Sequence, residues 1–429
     1  MRILWEDTTP GNSDIFRATS TDGGSTFGAP VNLSATAANS TCYDWTSSGR
    51  AEFVAWTDAV SVSNSEIMLR RSLDGGGTFL PAVNLSANAG QSLCPAIEVA
   101  GGGLVYVVWT DNTSGNDEIL LRRSVDGGAT WTSAQNLSAT GSPSANPKLA
   151  AFGPNLYVMW EEGTAPSREV YLRRSTNGGV TFGPAVNVSA SAGDSFRPRF
   201  TVTGPVVYAT YRDETPGNAD IFLRTSTNGG VTFGSAANLS ADGGRSTSQR
   251  IFVSGTFILV VWLDNTTGND DVYLRRSTDG GATWEATKNL AANAGDTDSL
   301  DRSLGGTALH VIWDDSTPGN FDIFYRRSTN VGASFAAVLN LSGNSGASLN
   351  PQVVTSFRDL YVAWDDTTPG NREILFLHSA NAGATFGLPA AGDGGTMAAD
   401  KGPATVEWCV DRRLSSSQQS FGMPIGPCR

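Results

Sequence analysis

Three basic residues stand at equivalent positions in a chain that is otherwise acidic. Lys148, Arg199 and Arg250 follow one another at intervals of 51 residues, and Arg197 and Arg302 lie next to positions of the same series. Guanidinium groups bind carboxylates in a bidentate manner, so clustered arginines are typical of a carboxylate site. These five residues are our candidate ligand-binding site. The alternative is that each cation pairs with a neighbouring Asp and has only a structural role.

Acidic residues also recur, as eight pairs in which the two members are separated by six residues, or by seven in the second pair. We expect each pair to face across a hairpin, where like charges are unfavourable unless they are neutralised. One Ca²⁺ per hairpin would neutralise them, because calcium takes oxygen ligands. The alternative is an Asx turn at the first acid and an Arg partner for the second. The pairs are Asp7/Asp14, Asp58/Glu66, Asp111/Glu118, Glu162/Glu169, Asp213/Asp220, Asp264/Asp271, Asp315/Asp322 and Asp366/Glu373.

Aromatic residues precede the first acid of every pair by two positions. They are conceivable sugar-stacking platforms, but their regular placement within strands favours packing between repeats. The series is Trp5, Trp56, Trp109, Trp160, Tyr211, Trp262, Trp313 and Trp364.

An eight-residue stretch, represented by residues 277–284 (STDGGATW), occurs eight times at steps of 52 or 51 residues. A period near 50 predicts an array of like structural units. Each copy has Asp or Asn two positions before a constant Gly, and Phe or Trp three positions after it. This pattern predicts a turn in which the Asp or Asn accepts backbone hydrogen bonds, the Gly takes positive φ and the aromatic ring packs into the core.

The repeated stretch resembles the Asp box, or BNR repeat, and the chain resembles the Asp-box β-propellers over nearly its whole length. That group includes sialidases, glucan-binding proteins and non-enzymatic propellers, so the resemblance implies a fold rather than one activity. Sialidases use three arginines, a Tyr–Glu nucleophile pair and an Asp acid/base. Here Phe196-Arg197-Pro198 only partly matches their Phe-Arg-Ile-Pro motif, and Tyr208 or Tyr211 with Glu214 is an unassigned candidate pair.

Each repeat reads as four short strands, which is one propeller blade. The first repeat lacks its first strand, and residues 404–410 have the pattern of a strand. We therefore predict an all-β, eight-bladed propeller of four antiparallel strands per blade, closed by a C-terminal strand that completes blade one. Residues 1–410 would form a single domain and 411–429 a tail.

The composition of the chain argues against nucleic acid and the membrane interior as binding partners. The net charge of −12 and the lack of a basic run disfavour nucleic acid, and no apolar run is long enough to span a membrane. No signal peptide is evident in this chain. Cys42 and Cys94 hold equivalent positions in neighbouring repeats; either two disulfides, with Cys409 and Cys428, or four free thiols fit the sequence. A disulfide would indicate an oxidising compartment.

Taken together, these patterns predict an extracellular or cell-surface, monomeric recognition module. It would bind glycans or proteins through the face that carries the acidic hairpins, with no catalytic residues and with calcium as the one cofactor considered. The alternatives are a sialidase-like glycoside hydrolase that uses the arginine cluster, and a structural scaffold or surface-layer protein. The in-phase Asn-x-Ser sequences favour a structural role at strand ends over glycosylation; they begin at Asn32, Asn84, Asn136, Asn187, Asn238 and Asn340.

Overall fold

The computed structural model describes residues 1–8, 11–368, 370, 372–387, 390–391 and 407–409, and all its regular elements are β-strands. Nothing in that part of the chain is a helix of the length and apolarity needed to cross a membrane. The strands are β1 (Arg2–Asp7), β2 (Asp14–Thr19), β3 (Val31–Asn32), β4 (Asn39–Ser48), β5 (Ala51–Ser61), β6 (Asn64–Ser72), β7 (Val83–Asn84), β8 (Ser92–Ala100), β9 (Leu104–Asp111), β10 (Glu118–Ser124), β11 (Gln135–Asn136), β12 (Ser144–Phe152), β13 (Asn155–Glu162), β14 (Glu169–Ser175), β15 (Val186–Asn187), β16 (Ser195–Thr203), β17 (Val206–Asp213), β18 (Asp220–Ser226), β19 (Ala237–Asn238), β20 (Ser246–Ser254), β21 (Phe257–Asp264), β22 (Asp271–Ser277), β23 (Lys288–Asn289), β24 (Leu300–Gly305), β25 (Ala308–Asp315), β26 (Asp322–Ser328), β27 (Leu339–Asn340), β28 (Ser348–Ser356), β29 (Asp359–Asp366), β30 (Glu373–Ser379), β31 (Ala390–Ala391) and β32 (Glu407–Cys409).

The strands form eight four-stranded antiparallel sheets, which are the blades of a β-propeller. Blade 1 contains β1–β3 and β32, and each later blade contains the next four strands in chain order, called here its first to fourth strands. The C-terminal strand pairs with β1 through Arg2↔Cys409, Ile3↔Trp408 and Leu4↔Glu407. The predicted fold class is therefore confirmed, including completion of blade 1 by the C-terminus.

The blades fall into two compact units. Unit 1 holds the described residues up to 35 and from 243 onward, which are blades 1, 6, 7 and 8; unit 2 holds those from 36 to 242, which are blades 2–5. The tail proposed for 411–429 lies outside the described residues, and the single-domain assignment of 1–410 stays a prediction.

The repeated eight-residue stretch forms the predicted turn after each third strand. In blade 3, Ser124 Oγ accepts a hydrogen bond from Gly128 N at 2.8 Å and donates one to Asp126 Oδ1 at 2.7 Å. Asp126 Oδ1 also accepts one from Thr130 N at 2.9 Å, and Gly128 has a φ of +77°. The hydroxyl and backbone donors lower the pKa of Asp126 well below its usual range. These local hydrogen bonds stabilise the turn within its own blade.

The aromatic series of the second strands lies in the interior. Trp109, Trp160 and Trp262 are fully buried, as is Tyr211 within 1%. Trp109 packs between blades 2 and 3, and Trp160 packs between blades 3 and 4. The predicted packing role is confirmed, because rings without exposed faces have no surface on which a sugar can stack.

In blades 4 and 7, the two consecutive arginines of the third strand bond to opposite neighbours. Arg173 Nη1 donates to Leu137 O in the preceding blade at 2.6 Å, and Arg174 Nη1 donates to Gly229 O in the following blade at 3.2 Å. Arg326 and Arg327 repeat the pattern in unit 1. Successive side chains of a strand point to opposite faces, which explains the alternation. These four arginines bond to carbonyl oxygens of adjacent blades rather than to hairpin acids, so the Arg partner of the structural alternative is not seen for them.

The Asn-x-Ser sequences form a second set of local hydrogen bonds, which connect the fourth strand to the third. Asn238 Nδ2 donates to Asp220 Oδ2 at 2.6 Å, while its Oδ1 accepts from Ala241 N at 2.9 Å. Ser240 Oγ donates to Asp220 Oδ1 at 3.1 Å and accepts from Ile221 N at 2.9 Å. The expected structural role at the strand end is confirmed for this motif.

Gly193 marks a close approach between a connecting segment and the neighbouring hairpin. A Cβ at this position would lie 2.4 Å from Thr215 N and 2.8 Å from Glu214 C, so the backbone would have to move. We expect Gly193→Ala to lower the free energy of unfolding by about 1–3 kcal/mol, as overpacking does. Urea unfolding measures this change. Gly141→Ala is the control, because a Cβ at Gly141 meets nothing within 4 Å; equal midpoints for the two variants would contradict the prediction.

Candidate functional site

Six first strands in the described chain contain a β-bulge near their beginning. The residue at each bulge has φ near +50° although it is not Gly, a conformation that costs on the order of 1 kcal/mol. Bulges redirect side chains and are frequent beside functional sites. The side chain also varies from blade to blade, which makes this series the leading candidate site. Its members are Cys42, Cys94, Asn146, Arg197, Ser248 and Asn350.

The backbone N–H of a bulge residue bonds to the second strand of the preceding blade. Cys94 N donates to Thr57 Oγ1 at 2.9 Å and Arg197 N donates to Glu161 Oε1 at 2.6 Å. In unit 1, Asn350 N donates to Asp314 Oδ2 at 3.0 Å. The bulges are therefore held rigidly, and the side chains that they carry are preorganised.

Three of the five predicted ligand-binding residues lie on adjacent first strands of unit 2. Arg197 is exposed at the bulge of β16, and Arg199 is half-buried two residues further along. Lys148 is half-buried on β12, at the position equivalent to Arg199. The strands β12 and β16 contact each other, so this part of the predicted site is brought together.

The ring of Phe196, the residue before Arg197, contacts two guanidinium groups. The guanidinium carbons of Arg168 and Arg212 lie 4.1 Å and 4.5 Å from the centroid of the Phe196 ring. Arg168 Nε and Nη2 both bond to Asp194, which lowers the pKa of that carboxyl group and raises the pKa of Arg168. Sequence reasoning missed this cluster; its one sequence signal was the charged residues around Phe196.

The other two predicted residues, Arg250 and Arg302, belong to unit 1. Arg302 Nη2 donates to Ile251 O at 2.9 Å, and Arg302 Nη1 lies 3.9 Å from Asp301 Oδ1. Arg250 Nη1 donates to Ser248 O at 3.3 Å and to Gln249 O at 3.2 Å. These contacts give Arg250 and Arg302 a structural role, and ligand binding by them stays a prediction.

The candidate nucleophile pair does not have the environment that its chemistry needs. Tyr208 and Tyr211 are both buried, and burial raises the pKa of each phenol above its ordinary value. Glu214 is exposed at the hairpin tip. A nucleophilic phenol requires a lowered pKa or an adjacent base, so the structure offers no support for assigning either tyrosine.

Each acidic pair faces across its hairpin as predicted, for example Asp111↔Glu118. Asp111 accepts hydrogen bonds from Trp109 Nε1 at 3.0 Å, Ser92 Oγ at 2.8 Å, Asn88 Nδ2 at 2.7 Å and Thr113 N at 3.0 Å. Glu118 accepts hydrogen bonds from Asn116 Nδ2 and Ser138 Oγ. The first acid thus forms the expected Asx turn, and the second binds Asn and Ser.

The hairpin acids were also considered as calcium ligands. The groups that surround Asp111 are hydrogen-bond donors, whereas Ca²⁺ needs six to eight oxygen ligands. Among the described residues, no three His, Cys, Asp or Glu side chains are grouped so that they could hold a metal ion. The described residues at these hairpins do not fit a calcium site.

Two buried carboxyl groups of unit 1 differ sharply in their hydrogen bonding. Asp314 accepts from Ser299 N at 2.7 Å, Ser299 Oγ at 2.6 Å, Asp298 N at 3.1 Å and Asn350 N. Asp365 accepts only from Asn350 Nδ2 at 3.0 Å within the described chain, and its Oδ1 is buried without a partner there. Burial raises the pKa of Asp365 to about 7. This carboxyl group could therefore exchange a proton near neutral pH.

Cys42 and Cys94 form a disulfide between the bulges of blades 2 and 3, with their Cα atoms 5.1 Å apart. This settles the choice between a bridge and free thiols for this pair. Cys428 and the side chain of Cys409 lie outside the described residues. Asn146 and Arg197 are the exposed bulge residues of unit 2 that carry no disulfide.

No family model and no curated protein matches this sequence. Among solved structures, a puromycin-hydrolysing peptidase of Mycobacterium tuberculosis is similar with a TM-score of 0.51 at 11% identity, over 82% of this chain and 53% of that one. A polysaccharide lyase is similar with a TM-score of 0.49 at 10% identity, over 82% and 91%. A sialidase of Streptococcus pneumoniae is similar with a TM-score of 0.39 at 9% identity, over 77% and 66%. At such identities the likeness extends to the fold alone.

Proposed function

We propose that this chain is a non-catalytic recognition module that binds an acidic glycan through the hairpin end of blades 4 and 5. The observation that carries the proposal is Arg197, an exposed guanidinium on a strained bulge that Glu161 holds in place. Strain retained at an exposed, charged residue is characteristic of binding sites. Lys148 and Arg199 add positive charge on the same pair of strands.

A glycan is favoured over other acidic ligands by the repeated turn motif. Its likeness to the Asp box groups the chain with propellers that include glucan-binding and sialic-acid-cleaving members. The disulfide supports an extracellular or cell-surface location, because such bridges persist in oxidising environments. The module would act as a rigid platform, since its bulges and hairpins are hydrogen-bonded to neighbouring blades.

The test is binding of uronic-acid-containing oligosaccharides and of neutral β-glucan oligosaccharides, followed by calorimetry on the tightest binder. We expect Arg197→Asn to weaken binding of the acidic oligosaccharide by about 10- to 150-fold, the equivalent of one charged hydrogen bond. Asn is the natural residue at the same bulge position in blade 4, where Asn146 has φ +53°, so the backbone should accept it.

Arg50→Ala is the control for charge. Arg50 is exposed in the turn between the first and second strands of blade 2, away from the hairpins, and its loss changes the net charge by the same amount. Equal loss of binding in both variants would mean that Arg197 acts only through the overall charge of the protein and not through a specific contact. Binding only of neutral oligosaccharides by the wild-type protein would overturn the proposal.

A sialidase-like hydrolase is the second candidate, favoured by the near-neutral pKa of Asp365. The burial of Asp365 makes the hydrolase a weaker candidate than the recognition module, because only 1% of the residue is accessible. Turnover of a fluorogenic sialoside between pH 4 and 8, lost in Asp365→Asn, would establish the enzyme and displace the recognition module. Folded protein that binds acidic glycan without turnover would support the module.

A further inference from the structure

Two buried Asp carboxylates, one in each unit, accept a hydrogen bond from the backbone of the next first strand. In unit 2, Asp44 Oδ2 on β4 accepts a hydrogen bond from Ile97 N on β8 at 2.9 Å. In unit 1, Asp301 Oδ2 on β24 accepts one from Val353 N on β28, also at 2.9 Å. The first strand is an edge strand of its sheet, so half of its N–H groups point away from the sheet. An Asp on one first strand caps such an N–H group on the next.

The same position in blade 4 is occupied by Lys148, and the N–H group facing it belongs to Phe200 on β16. The register establishes the equivalence, because Phe200 pairs with Ala209 as Ile97 pairs with Val107. An ammonium group is only a donor and cannot cap an N–H group. None of the side chains described in the structure accepts a hydrogen bond from Phe200 N. Here the capping carboxylate has been replaced by a cation.

The corresponding place between blades 3 and 4 is closed. Ala96 stands there in the Asp position and is buried together with Leu149 in the apolar core between these blades. Lys148, Arg199 and Phe200 are by contrast all partly exposed. The place between β12 and β16 is thus the one in unit 2 where an outward N–H group, positive charge and solvent access coincide.

We propose that a carboxylate of the ligand takes this place, where it accepts a hydrogen bond from Phe200 N and pairs with the Lys148 ammonium group. Asp44 and Asp301 show the geometry that the ligand carboxylate would reproduce. The inference rests on the proposed function and specifies it further. It assigns recognition of a uronic-acid carboxylate to the two strands β12 and β16, with Arg197 at their exposed end.

Lys148→Asp tests this inference by supplying the missing carboxylate from the protein itself. The variant should bind the acidic oligosaccharide at least about 100-fold more weakly than wild type, because a charged hydrogen bond is lost and a like charge is added. Hydrogen exchange of the Phe200 amide should become slower in the free variant. Lys148→Gln is the matched control, since Gln352 holds this position in blade 8. The affinity of this variant for the acidic oligosaccharide should fall only about tenfold, because one charged interaction is lost and no like charge is added.

A carboxyl-reduced form of the same oligosaccharide should bind wild type and Lys148→Asp equally. Unchanged binding by Lys148→Asp, in a protein whose Arg197→Asn variant has lost affinity, would overturn this inference and leave the proposed function standing. Failure of the wild-type protein to bind any acidic oligosaccharide would overturn both. Unchanged exchange of the Phe200 amide in Lys148→Asp would also contradict the inference, independently of any ligand.

Discussion

Replacing Asp111 by alanine is expected to lower the free energy of unfolding by about 3–5 kcal/mol, among the largest effects of any single substitution. Four donors converge on this carboxylate, and the residue is 2% exposed. Its removal leaves the Trp109 and Ser92 donors buried without acceptors, and each orphaned group costs about 1–3 kcal/mol. Urea unfolding followed by tryptophan fluorescence measures the change. Glu214→Ala, at an exposed hairpin tip, is the control and should change stability by less than about 0.5 kcal/mol.

The effect of Asp111 should also depend on pH. Burial raises the pKa of its carboxyl group, but the hydrogen bonds from Trp109, Thr113 and Ser92 outweigh burial and hold the pKa below its usual value. A carboxyl group with a lowered folded pKa stabilises the protein above its unfolded pKa, near ~3.9, and loses that contribution as the pH falls through the folded value. The stability difference between wild type and Asp111→Ala should therefore shrink in acid. A constant difference from pH 7 to pH 3 would contradict this account.

Loss of the Cys42–Cys94 bridge should cost about 4 kcal/mol, because the cross-link closes a loop of 52 residues in the unfolded chain. The expected result is a lower urea midpoint for the Cys42→Ala/Cys94→Ala variant than for oxidised wild type. Ile97 should also exchange its amide hydrogen faster, since its bond to Asp44 lies three residues from Cys94.

The control for the disulfide is wild-type protein treated with dithiothreitol, which should reach the stability of the double variant. A thiol count separates reduction of this pair from changes at Cys409 and Cys428. If reduction leaves the midpoint unchanged, the bridge does not restrict the unfolded chain in the way proposed here.

Features that depend on near neighbours in sequence were predictable. The turn around Gly128 needs only a positive φ and acceptors four residues away, and both are visible in the repeat. Pairing of β32 with β1 was predictable because the periodic array lacked a single strand. The four-strand pattern did not predict the bulges, such as the one at Arg197 that interrupts the register of β16.

Contacts over long sequence distances were not predictable. The sequence offered an Arg as one possible partner for the second hairpin acid, but the bonds of Arg173 and Arg174 reach residues 36 and 55 positions away. The locking of Arg197 by Glu161 and the stacking of Arg168 on Phe196 likewise depend on how blades 4 and 5 pack. The set of cations was visible as a break in the repeat. Its division into Lys148, Arg197 and Arg199 in one unit and Arg250 and Arg302 in the other was not.

The paired arginine clamps have a consequence for how such a chain can grow. Arg173 and Arg174 bond to carbonyl oxygens of the flanking blades, and every residue type supplies a carbonyl. A duplicated repeat would therefore find acceptors on both sides whatever side chains its neighbours had acquired. Gene-level duplication of one 51-residue repeat would need no compensating substitution at these clamps, and each copy could then diverge at its bulge. The contacts of these arginines therefore do not depend on the side chains of the neighbouring blades. The bulge positions can then change under selection for ligand binding without loss of these contacts.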